Sequence, residues 1–203
     1  MLIVDNVEVS GLNRATVASG IPMYTAYDPV DIQINSASMT YSDDDPHYKR
    51  AVKLCRNTTN SGHCTFLSGI VVHMDITATV KWWVQWQRYH FQQIVSSMST
   101  MHRLRQMMRA GTIHFNENTD AAVVDAFLQL LDREDVTDEQ LAYSCPMGLE
   151  LTASVVTNYL QLRTIYSQRR NHKLAEWRDF CNFVENSLPL ADAYITVGVG
   201  SNK

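Results

Sequence analysis

The sequence predicts an α+β fold in which several helices pack around a small sheet. Two segments alternate between apolar and polar residues as half-buried strands do, Leu2 to Leu12 and Ile70 to Ile76. Most of the remaining chain shows helical periodicity, and many helices around few strands are typical of the α+β class. With 203 residues the chain can form a sizeable core, and we expect a single domain over residues 1–203.

The elements between the two strands are only partly predictable. Residues 13–45 carry no clear pattern. Asp45-Pro46 then combines an N-cap acid with proline at the first helical position, which predicts a helix to about Asn57. The run Asp43 to Asp45 is most simply the start of this helix, so we expect no metal there. Asn57 to Gly62 ends it.

After the second strand, helices predominate. An aromatic helix is predicted over Trp82 to Phe91, followed by a hydroxyl-rich loop, Ser96 to Ser99. We expect Leu188 to Val199 to add a terminal strand and Gly198 to Lys203 to be frayed. The other predicted helices cover His102 to Ala110, a segment capped by Thr119-Asp120, a segment opened by the capping box Thr137 to Gln140, and residues 147–169 and 173–187.

The composition is that of an ordinary globular protein, with 45% hydrophobic and 19% charged residues. The net charge of −4 gives no field that favours DNA or RNA, although a small basic pocket for one nucleotide is compatible with it. No apolar run approaches the roughly 20 residues that span a bilayer. Asp5 lies where a signal peptide carries positive charge. We therefore expect a cytoplasmic protein without a membrane partner.

The cysteines show no spacing typical of a metal or redox site. Cys55, Cys64, Cys145 and Cys181 form neither a C-x-x-C pair nor a zinc pattern. In a reducing compartment they are expected to be small buried hydrophobic residues. None has an obviously cationic sequence neighbourhood, so the sequence predicts neither a nucleophilic cysteine nor a metal centre.

The segment from Gly62 to Arg103 combines a turn, a strand, the aromatic helix and a hydroxyl-rich cationic loop. Arg88 and Arg103 can supply charge to an anion, and the hydroxyl groups of Ser96 to Thr100 can donate to phosphate oxygens. A solvated loop after a core helix explains the same residues, and taken alone the segment favours that simpler interpretation.

This segment resembles the core of the flavin-dependent thymidylate synthases. That family has Gly-His, then a strand, then Arg-His-Arg-x-x-Ser-x-Asn-x-x-Ser-x-Arg-Tyr, and Gly62-His63 and Arg88 match its spacing without a gap. A later stretch is also similar, with Pro146, Asn158, the pair Arg169-Arg170 and Ala175 to Trp177 at the family's positions. The two stretches cover about half of the chain and resemble a divergent, phage-encoded branch, which implies host cytoplasm as the location.

The chain departs from the family pattern at several cationic positions. Tyr89 and His90 stand where the family has His and Arg, and Ala142 stands where it has Arg. Gln93 and Val95 replace Ser and Asn, and the closing motif is displaced by one residue, so that Arg103 lies just beyond it. Each charge-assisted hydrogen bond lost is worth about 1.5–3 kcal/mol. The scaffold is therefore better supported than the reaction.

The resemblance implies an enzyme that transfers a one-carbon unit to C5 of dUMP or a related deoxypyrimidine monophosphate. It implies FAD as cofactor, reduced nicotinamide and methylenetetrahydrofolate as co-substrates, and a homotetramer whose sites draw on more than one subunit. Flavin contacts then fall to His63, Arg88, His90 and Asn158, and substrate contacts to Gln85, Ser97, Ser99 and Arg103.

The base-recognising arginine of the family falls on the pair Arg169 and Arg170, which are the candidate catalytic residues. Counting forward from Asn158 selects Arg169, whereas counting back from Trp177 selects Arg170. The sequence leaves both open, and cations at a helix C-terminus are favoured by the helix dipole in any case. Because neighbours on a helix point about 100° apart, only one of the two is expected to face a pocket.

The missing family cations leave an alternative function open. A protein without several family cations could bind a nucleotide without converting it, and could sequester a signalling nucleotide in phage counter-defence.

Trp82, Trp83 and Trp86 fit a core or a subunit interface better than a stacking platform. The aromatic helix has more apolar surface than a small domain is expected to bury, which predicts a homo-oligomer, most simply a tetramer.

Overall fold

The computed structural model describes residues 2–57 and 62–198. Four strands form an antiparallel sheet in the order β1-β2-β4-β3, so the predicted α+β class is confirmed. The strands are β1 (Ile3–Ser10), β2 (Val71–Thr79), β3 (Gln92–Ser97) and β4 (Glu150–Asn158). The helices are α1 (Leu12–Ala18), α2 (Pro29–Ser38), α3 (Pro46–Cys55), α4 (Val80–Trp86), α5 (Leu104–Arg109), α6 (Ala121–Asp132), α7 (Asp138–Ser144), α8 (Tyr159–Arg169), α9 (Ala175–Ser187) and α10 (Ala191–Tyr194).

The chain divides into two compact units. The first unit comprises Met1–Asp5, Met74–His90 and Ile94–Val155, and the second comprises Asn6–His73, Phe91–Gln93 and Val156–Lys203. A single domain over residues 1–203 stays a prediction. In the first unit α5, α6 and α7 enclose an apolar core whose buried residues are Leu104, Phe127, Leu131, Leu141 and Leu149.

In the second unit, helix α8 is central. It packs against α9 and against a 3-10 turn, Thr65–Gly69. Leu162 and Ile165 on α8 are fully buried, as are Trp177 and Phe180 on α9. Full burial of one large apolar side chain contributes about 1.5–3 kcal/mol, so this helix pair supplies much of the second unit's stability.

The helix starts that were predicted from local chemistry are confirmed. The Asp45 carboxylate accepts hydrogen bonds from the backbone N–H groups of His47 and Tyr48 at the start of α3. Asp120 caps α6 through Ala122 N–H. Thr137 and Gln140 form the reciprocal hydrogen bonds of a capping box at α7.

The helix predicted over residues 147–169 is wrong in its first half. Glu150–Asn158 is the strand β4, in which Ala153, Val155 and Thr157 are buried while their neighbours are only half-buried. This period of two, carried by β-branched residues, prevails over the helical interpretation. Only from Tyr159 does the chain become helical, as α8.

Other boundaries also differ from the prediction. The aromatic helix ends at Trp86 rather than Phe91, and the strand β3 occupies Gln92–Ser97, where a loop was expected after Phe91. The predicted strand from Leu188 to Val199 is wrong over the described residues 188–198, which contain the short helix α10 instead. Residues 13–45, whose sequence carries no clear pattern, contain most of α1 and all of α2. The predicted frayed end (apart from Gly198) and most of the predicted break after Asn57 lie outside the described residues.

The tryptophans of α4 are core residues of the first unit. Trp82 and Trp86 are fully buried and stack with ring centroids 5.0 Å apart, and Trp83 is 7% exposed. The exposed aromatic face on which the oligomer prediction was based is therefore not present on these three residues, and the oligomer itself stays a prediction. No helix within residues 2–57 and 62–198 is long and apolar enough to cross a membrane.

We predict that Asp45→Ala lowers the free energy of unfolding at neutral pH by about 1 kcal/mol, the usual cost of a lost N-cap. Burial alone would raise the pKa of Asp45, but backbone N–H groups of Thr40, Tyr48 and His47 donate to its carboxylate and lower that pKa overall. Because folding lowers this pKa, the ionised carboxylate stabilises the folded protein at pH values above its unfolded-state pKa. This contribution is lost as the pH falls through the folded-state pKa. Urea unfolding at several pH values measures the difference.

Asp44→Ala is the matched control, because Asp44 is an exposed neighbour in the same acidic run. It should change the unfolding free energy by much less than Asp45→Ala. Equal losses from both variants, or an Asp45→Ala loss that is unchanged in acid, would show that the run acts by general charge and not by capping.

Candidate functional site

The first unit contains a cleft of about 260 Å³, which we call the α4 cleft. Its wall is largely apolar, and four polar side chains reach it: Gln87, Ser97, Thr100 and Thr152. Trp83 forms part of the wall, and its indole Nε1 donates to the Leu151 carbonyl at 3.0 Å, which fixes the ring. A small apolar slot with hydroxyl groups around it can hold one flat ring and hydrogen bond its polar edge.

The predicted substrate contacts all lie in the first unit, but only one lines the α4 cleft. Ser97 ends β3 and lines the cleft. Ser99 is half-buried in the loop after β3, and Gln85 is half-buried on α4 outside the wall. Arg103 is exposed, and its Nη1 donates to Gln106 Oε1 three residues on. The structure therefore brings Ser97 and Thr100 together and leaves Arg103 near its own helix.

Arg88 and His90, two of the predicted flavin contacts, follow α4 at the end of a first-unit segment. Both are exposed. The Arg88 side chain makes no hydrogen bond or ion pair within the described part of the chain, so its charge is available to a ligand.

The second unit contains a larger cleft of about 520 Å³, which we call the His63 cleft. His63 is exposed at this cleft, and Met23 and Phe66 add apolar surface. Arg50 contributes a guanidinium group to the wall. A cation, an imidazole and an aromatic ring in one cleft are suited to an anionic ligand that also has a flat ring.

The Arg50 guanidinium is held in place before any ligand arrives. Its Nη2 donates to the Val17 carbonyl at 3.2 Å and to His47 Nδ1 at 3.1 Å, and its Nε donates to Ser19 Oγ at 3.3 Å. Burial, and next the charge of Arg50, lower the pKa of His47. His47 is thus kept neutral and can accept from Arg50 at Nδ1.

Sequence reasoning missed Arg50. The local signal was the spacing of His47 and Arg50, one turn apart on α3. The partners on the Val17 to Gly20 segment come from about 30 residues earlier and could not be read from spacing. A side chain at Gly20 would collide with the guanidinium, since a Cβ there would lie 2.5 Å from Arg50 Nη2. Gly20 therefore leaves the space that Arg50 occupies.

Asn158, a predicted flavin contact, has a structural role. It is the N-cap of α8, and its Oδ1 accepts from Gln161 N–H at 2.9 Å. Only its amide N–H₂ is left for a ligand, since that group makes no hydrogen bond to a described residue. Asn158 and His63 both belong to the second unit, but Asn158 does not line the His63 cleft.

The arginine pair lies at the C-terminal end of α8. Arg169 is the last helical residue, Arg170 is the C-cap, and both are half-buried. The Arg169 guanidinium carbon lies 4.8 Å from the centroid of the Trp177 ring, within cation–π range. Arg169 therefore packs on α9. Nearby, burial and then the charges of Arg169 and Arg178 lower the pKa of His172.

The expectation that no cysteine has a cationic setting is wrong for three of the four. Cys55 and Cys64 are buried and interact electrostatically with the Arg163 guanidinium. Cys181 interacts with the charges of Arg169 and Arg170, but burial is the larger effect and raises its pKa to about 12. Burial also raises the pKa of Cys145 to about 11. No cluster of metal-ligating side chains occurs among residues 2–57 and 62–198.

Comparison with solved structures decides the fold. A flavin-dependent thymidylate synthase, ThyX, from Helicobacter pylori, complexed with FAD and dUMP, superposes with a TM-score of 0.67 at 16% identity over 96% of each chain. The chain has the fold of the flavin-dependent thymidylate synthases. A second structure of the Helicobacter pylori enzyme with FAD and dUMP gives a TM-score of 0.68 at 14% identity over 97% of this chain and 98% of that one.

A UMP/dUMP methylase, PolB, from Streptomyces cacaoi, bound with 5-Br dUMP, is also similar, with a TM-score of 0.64 at 14% identity over 98% of this chain and 93% of that chain. No protein-family model matches the sequence, and no curated protein matches it. The resemblance first seen in two sequence stretches is thus confirmed as a likeness of fold over nearly the whole chain.

Proposed function

We propose that this chain is a flavin-dependent enzyme that transfers a one-carbon unit to C5 of a deoxyuridine or related deoxypyrimidine monophosphate. The observation that carries the proposal is the shared fold over at least 93% of both chains with solved enzymes of this chemistry. The two clefts add support, because one offers a fixed guanidinium group and the other an apolar slot with hydroxyl groups.

The His63 cleft fits part of FAD. Its pre-positioned Arg50 suits a phosphate group, and Phe66 suits the face of a ring. His63 and Arg50 would hold the cofactor there, and Asn158, Arg88 and His90 are the further contacts that the sequence pattern proposes. Bound flavin supplies the hydride for the reaction, with reduced nicotinamide as its reductant and methylenetetrahydrofolate as the carbon donor. The protein's own task is positioning and electrostatics.

The nucleotide is assigned to the first unit, around the α4 cleft. The hydroxyl groups of Ser97 and Thr100 are positioned to hydrogen bond a polar ring edge or a phosphate oxygen. Ser99 and Arg103 follow on the same loop, and the exposed Arg103 can exchange its bond to Gln106 for one to a phosphate. Gln85 is a further candidate contact from α4.

Arg170 of another protomer is the better candidate for recognising the base, since the family resemblance implies sites that draw on more than one subunit. Arg169 is engaged with Trp177 at 4.8 Å, so its replacement would disturb packing in the second unit. A guanidinium next to the uracil oxygens would stabilise the negative charge that develops on the ring as C5 reacts. No cysteine nucleophile is needed for this route.

The main alternative is a protein of the same fold that binds a nucleotide, including a signalling nucleotide, without converting it. The replacement of two family cations by Tyr89 and His90 favours it. Nucleotide binding is common to both functions, and turnover separates them.

We predict that Arg103→Ala weakens dUMP binding by about 1.5–3 kcal/mol, the value of one charge-assisted hydrogen bond. Arg109→Ala is the matched control, because Arg109 is an exposed arginine at the other end of the same short helix. Calorimetry on both variants should show a loss for Arg103→Ala alone. Equal affinities of both variants and the parent would mean that this loop is only a connector.

We predict that Arg170→Ala abolishes dUMP binding to protein reconstituted with FAD. Arg169→Ala should instead lower stability by about 0.5–2 kcal/mol through the lost contact with Trp177, and should bind dUMP more nearly like the parent. Spectral titration of the flavin and thermal unfolding measure the two effects. If both variants bind dUMP and FAD like the parent, neither arginine recognises the base.

We also propose a homo-oligomer, most simply a tetramer, assembled through the first-unit part of the exposed edge strand β3, residues 94–97. β3 is at the end of the strand order, and Val84, Val95, Met98 and Met101 on or near it are exposed apolar residues. An unpaired strand edge with apolar neighbours is a favourable surface for a second copy.

Light scattering should therefore give a mass well above that of the 23.1-kDa protomer. Val95→Lys should lower the mass, whereas Val123→Lys, at an exposed valine of α6 in the same unit, should not. A monomer at micromolar concentration would contradict this assembly.

A further inference from the structure

Arg50 on α3 uses three of its five guanidinium N–H groups to hold a fixed position in the second unit. Its Nη2 donates to the Val17 carbonyl at 3.2 Å and to His47 Nδ1 at 3.1 Å, and its Nε donates to Ser19 Oγ at 3.3 Å. Ser19 Oγ in turn donates to the Thr16 carbonyl at 2.7 Å, which leaves its lone pairs to accept from Arg50. The two remaining N–H groups are both on Nη1, which makes no hydrogen bond to a described residue.

One face of the guanidinium is also covered by the chain. A Cβ at Gly20 would lie 2.5 Å from Arg50 Nη2, 2.6 Å from Cζ and 2.9 Å from Nη1. Three atoms of a planar group at nearly equal distances mean that its face lies across Gly20. Arg50 lines the His63 cleft, and no carboxylate of a described residue forms an ion pair with it. An anion in the cleft therefore meets a fixed cation that has no counter-charge and two N–H groups left to donate.

Among the three partners of the guanidinium, only His47 titrates near neutral pH. A guanidinium donates and never accepts, so the hydrogen bond at 3.1 Å requires an unprotonated Nδ1 and places the ring proton on Nε2. A proton on Nδ1 would remove this acceptor and would set two cations against each other. The bond between His47 and Arg50 therefore exists only while His47 is neutral.

The surroundings of His47 favour its neutral form. Burial, and next the charge of Arg50, lower the pKa of His47, and the Asp45 carboxylate opposes them. Arg50 and Asp45 are the charged groups of the described chain that act on His47. At neutral pH the imidazole is thus an acceptor for Arg50, and it gains its proton only as the medium becomes acidic.

The helices packed on α3 carry the other titratable and charged groups near this site. On α1 the charged residue is Arg14, which is exposed. On α10 it is Asp192, whose charge acts on Tyr48, as that of Asp43 does. Burial raises the pKa of Tyr48 and that of Tyr194, so both phenols keep their protons in the range where histidine titrates.

We propose that His47 is a positioning residue that makes anion binding by Arg50 in the His63 cleft dependent on pH. While His47 is neutral, the guanidinium is fixed and offers both Nη1 N–H groups to a phosphate group. Once His47 is protonated, this anchor is lost and the guanidinium is repelled, so that a phosphate group must order Arg50 as it binds. The identification of this phosphate with the pyrophosphate of FAD rests on the proposed function.

The direction of the pH effect separates His47 from the other histidine of the site. His63 lines the cleft, so a proton on His63 places positive charge beside the anion and tightens binding in acid. His47 does not line the cleft, and a proton on His47 removes an anchor of Arg50, which weakens binding in acid. Comparison of the parent with variants of His47 alone isolates its effect, because His63 is common to all of them.

Two variants test this role in the full-length protein. His47→Asn keeps an acceptor, because Asn Oδ1 takes the place of Nδ1, but it cannot be protonated, whereas His47→Leu has no acceptor. FAD binding is measured by calorimetry between about pH 5 and pH 8, a range in which histidine titrates and a pyrophosphate diester keeps its charge. At the upper end His47→Leu should bind FAD about tenfold more weakly than the parent, for the loss of one charge-assisted hydrogen bond, and His47→Asn should restore the affinity.

At the lower end of this range the parent should bind FAD about tenfold more weakly than His47→Asn does. The difference should appear below the ordinary histidine pKa, because the pKa of His47 is lowered. Equal pH profiles for the parent and His47→Asn, or a parent that gains on His47→Asn in acid, would overturn the proposal.

Sulfate is the second probe, because it keeps its charge over the same range and needs only the Arg50 donors. We expect sulfate to shift the Arg50 side-chain resonances in NMR spectra, and in acid to do so at lower concentration for His47→Asn than for the parent. If sulfate behaves in this way and FAD does not bind, the role of His47 stands and the assignment of FAD to this cleft fails. If FAD binds and neither probe distinguishes the parent from His47→Asn, the assignment of FAD stands and the role of His47 is refuted. If neither probe binds, both are refuted.

Discussion

The buried guanidinium of Arg163 joins three parts of the second unit. Through its Nη1 and Nη2 it binds the carbonyl oxygens of Cys55, Asn57 and Tyr194 and so holds the end of α3 and the short helix α10 against α8. Hydrogen bonds from a charged donor contribute about 1.5–3 kcal/mol each, and removal of the donor would leave three carbonyls to be satisfied. The packing of α3, α8 and α10 in this unit therefore depends on one side chain.

The candidate groups of the second unit are arranged around the helix that Arg163 anchors. Asn158 caps the first turn of α8, and Arg169 and Arg170 end it, so the spacing of these residues is that of an eleven-residue helix. The end of α3 that Arg163 holds leads to the His63 cleft, whose guanidinium at Arg50 is fixed by bonds to Val17 and His47. The packing of α8 thus positions both the arginine pair and the end of α3 that leads to the His63 cleft.

Local chemistry made part of this structure predictable. The caps at Asp45, Asp120 and Thr137 need only the residues within one turn, and the sequence therefore identified them. The segment Glu150–Asn158 was predicted as helix because its apolar residues fit both the helical and the strand period. Only its pairing within the sheet distinguishes a strand from a helix here. Two family-like stretches in the right order were enough to anticipate the fold.

Contacts between distant residues could not be predicted in this way. Arg163 lies 108 residues from Cys55 in sequence, and neither residue has a neighbour that reveals the other. The same holds for Arg50 and Val17, 33 residues apart. Burial of the α4 tryptophans could not be predicted either, because an aromatic face on a helix fits a protein core as well as a subunit interface. The candidate site residues therefore came mainly from the family resemblance.

Turnover tests the central claim most directly. The purified protein is incubated with FAD, reduced nicotinamide, methylenetetrahydrofolate and dUMP, and the nucleotide is analysed by mass spectrometry. An enzyme of the proposed class converts dUMP to a product that carries one additional methyl group at C5, and omission of the flavin stops the conversion. Recovery of unchanged dUMP from a protein that binds both FAD and dUMP would contradict the account and favour a nucleotide-binding protein on this fold.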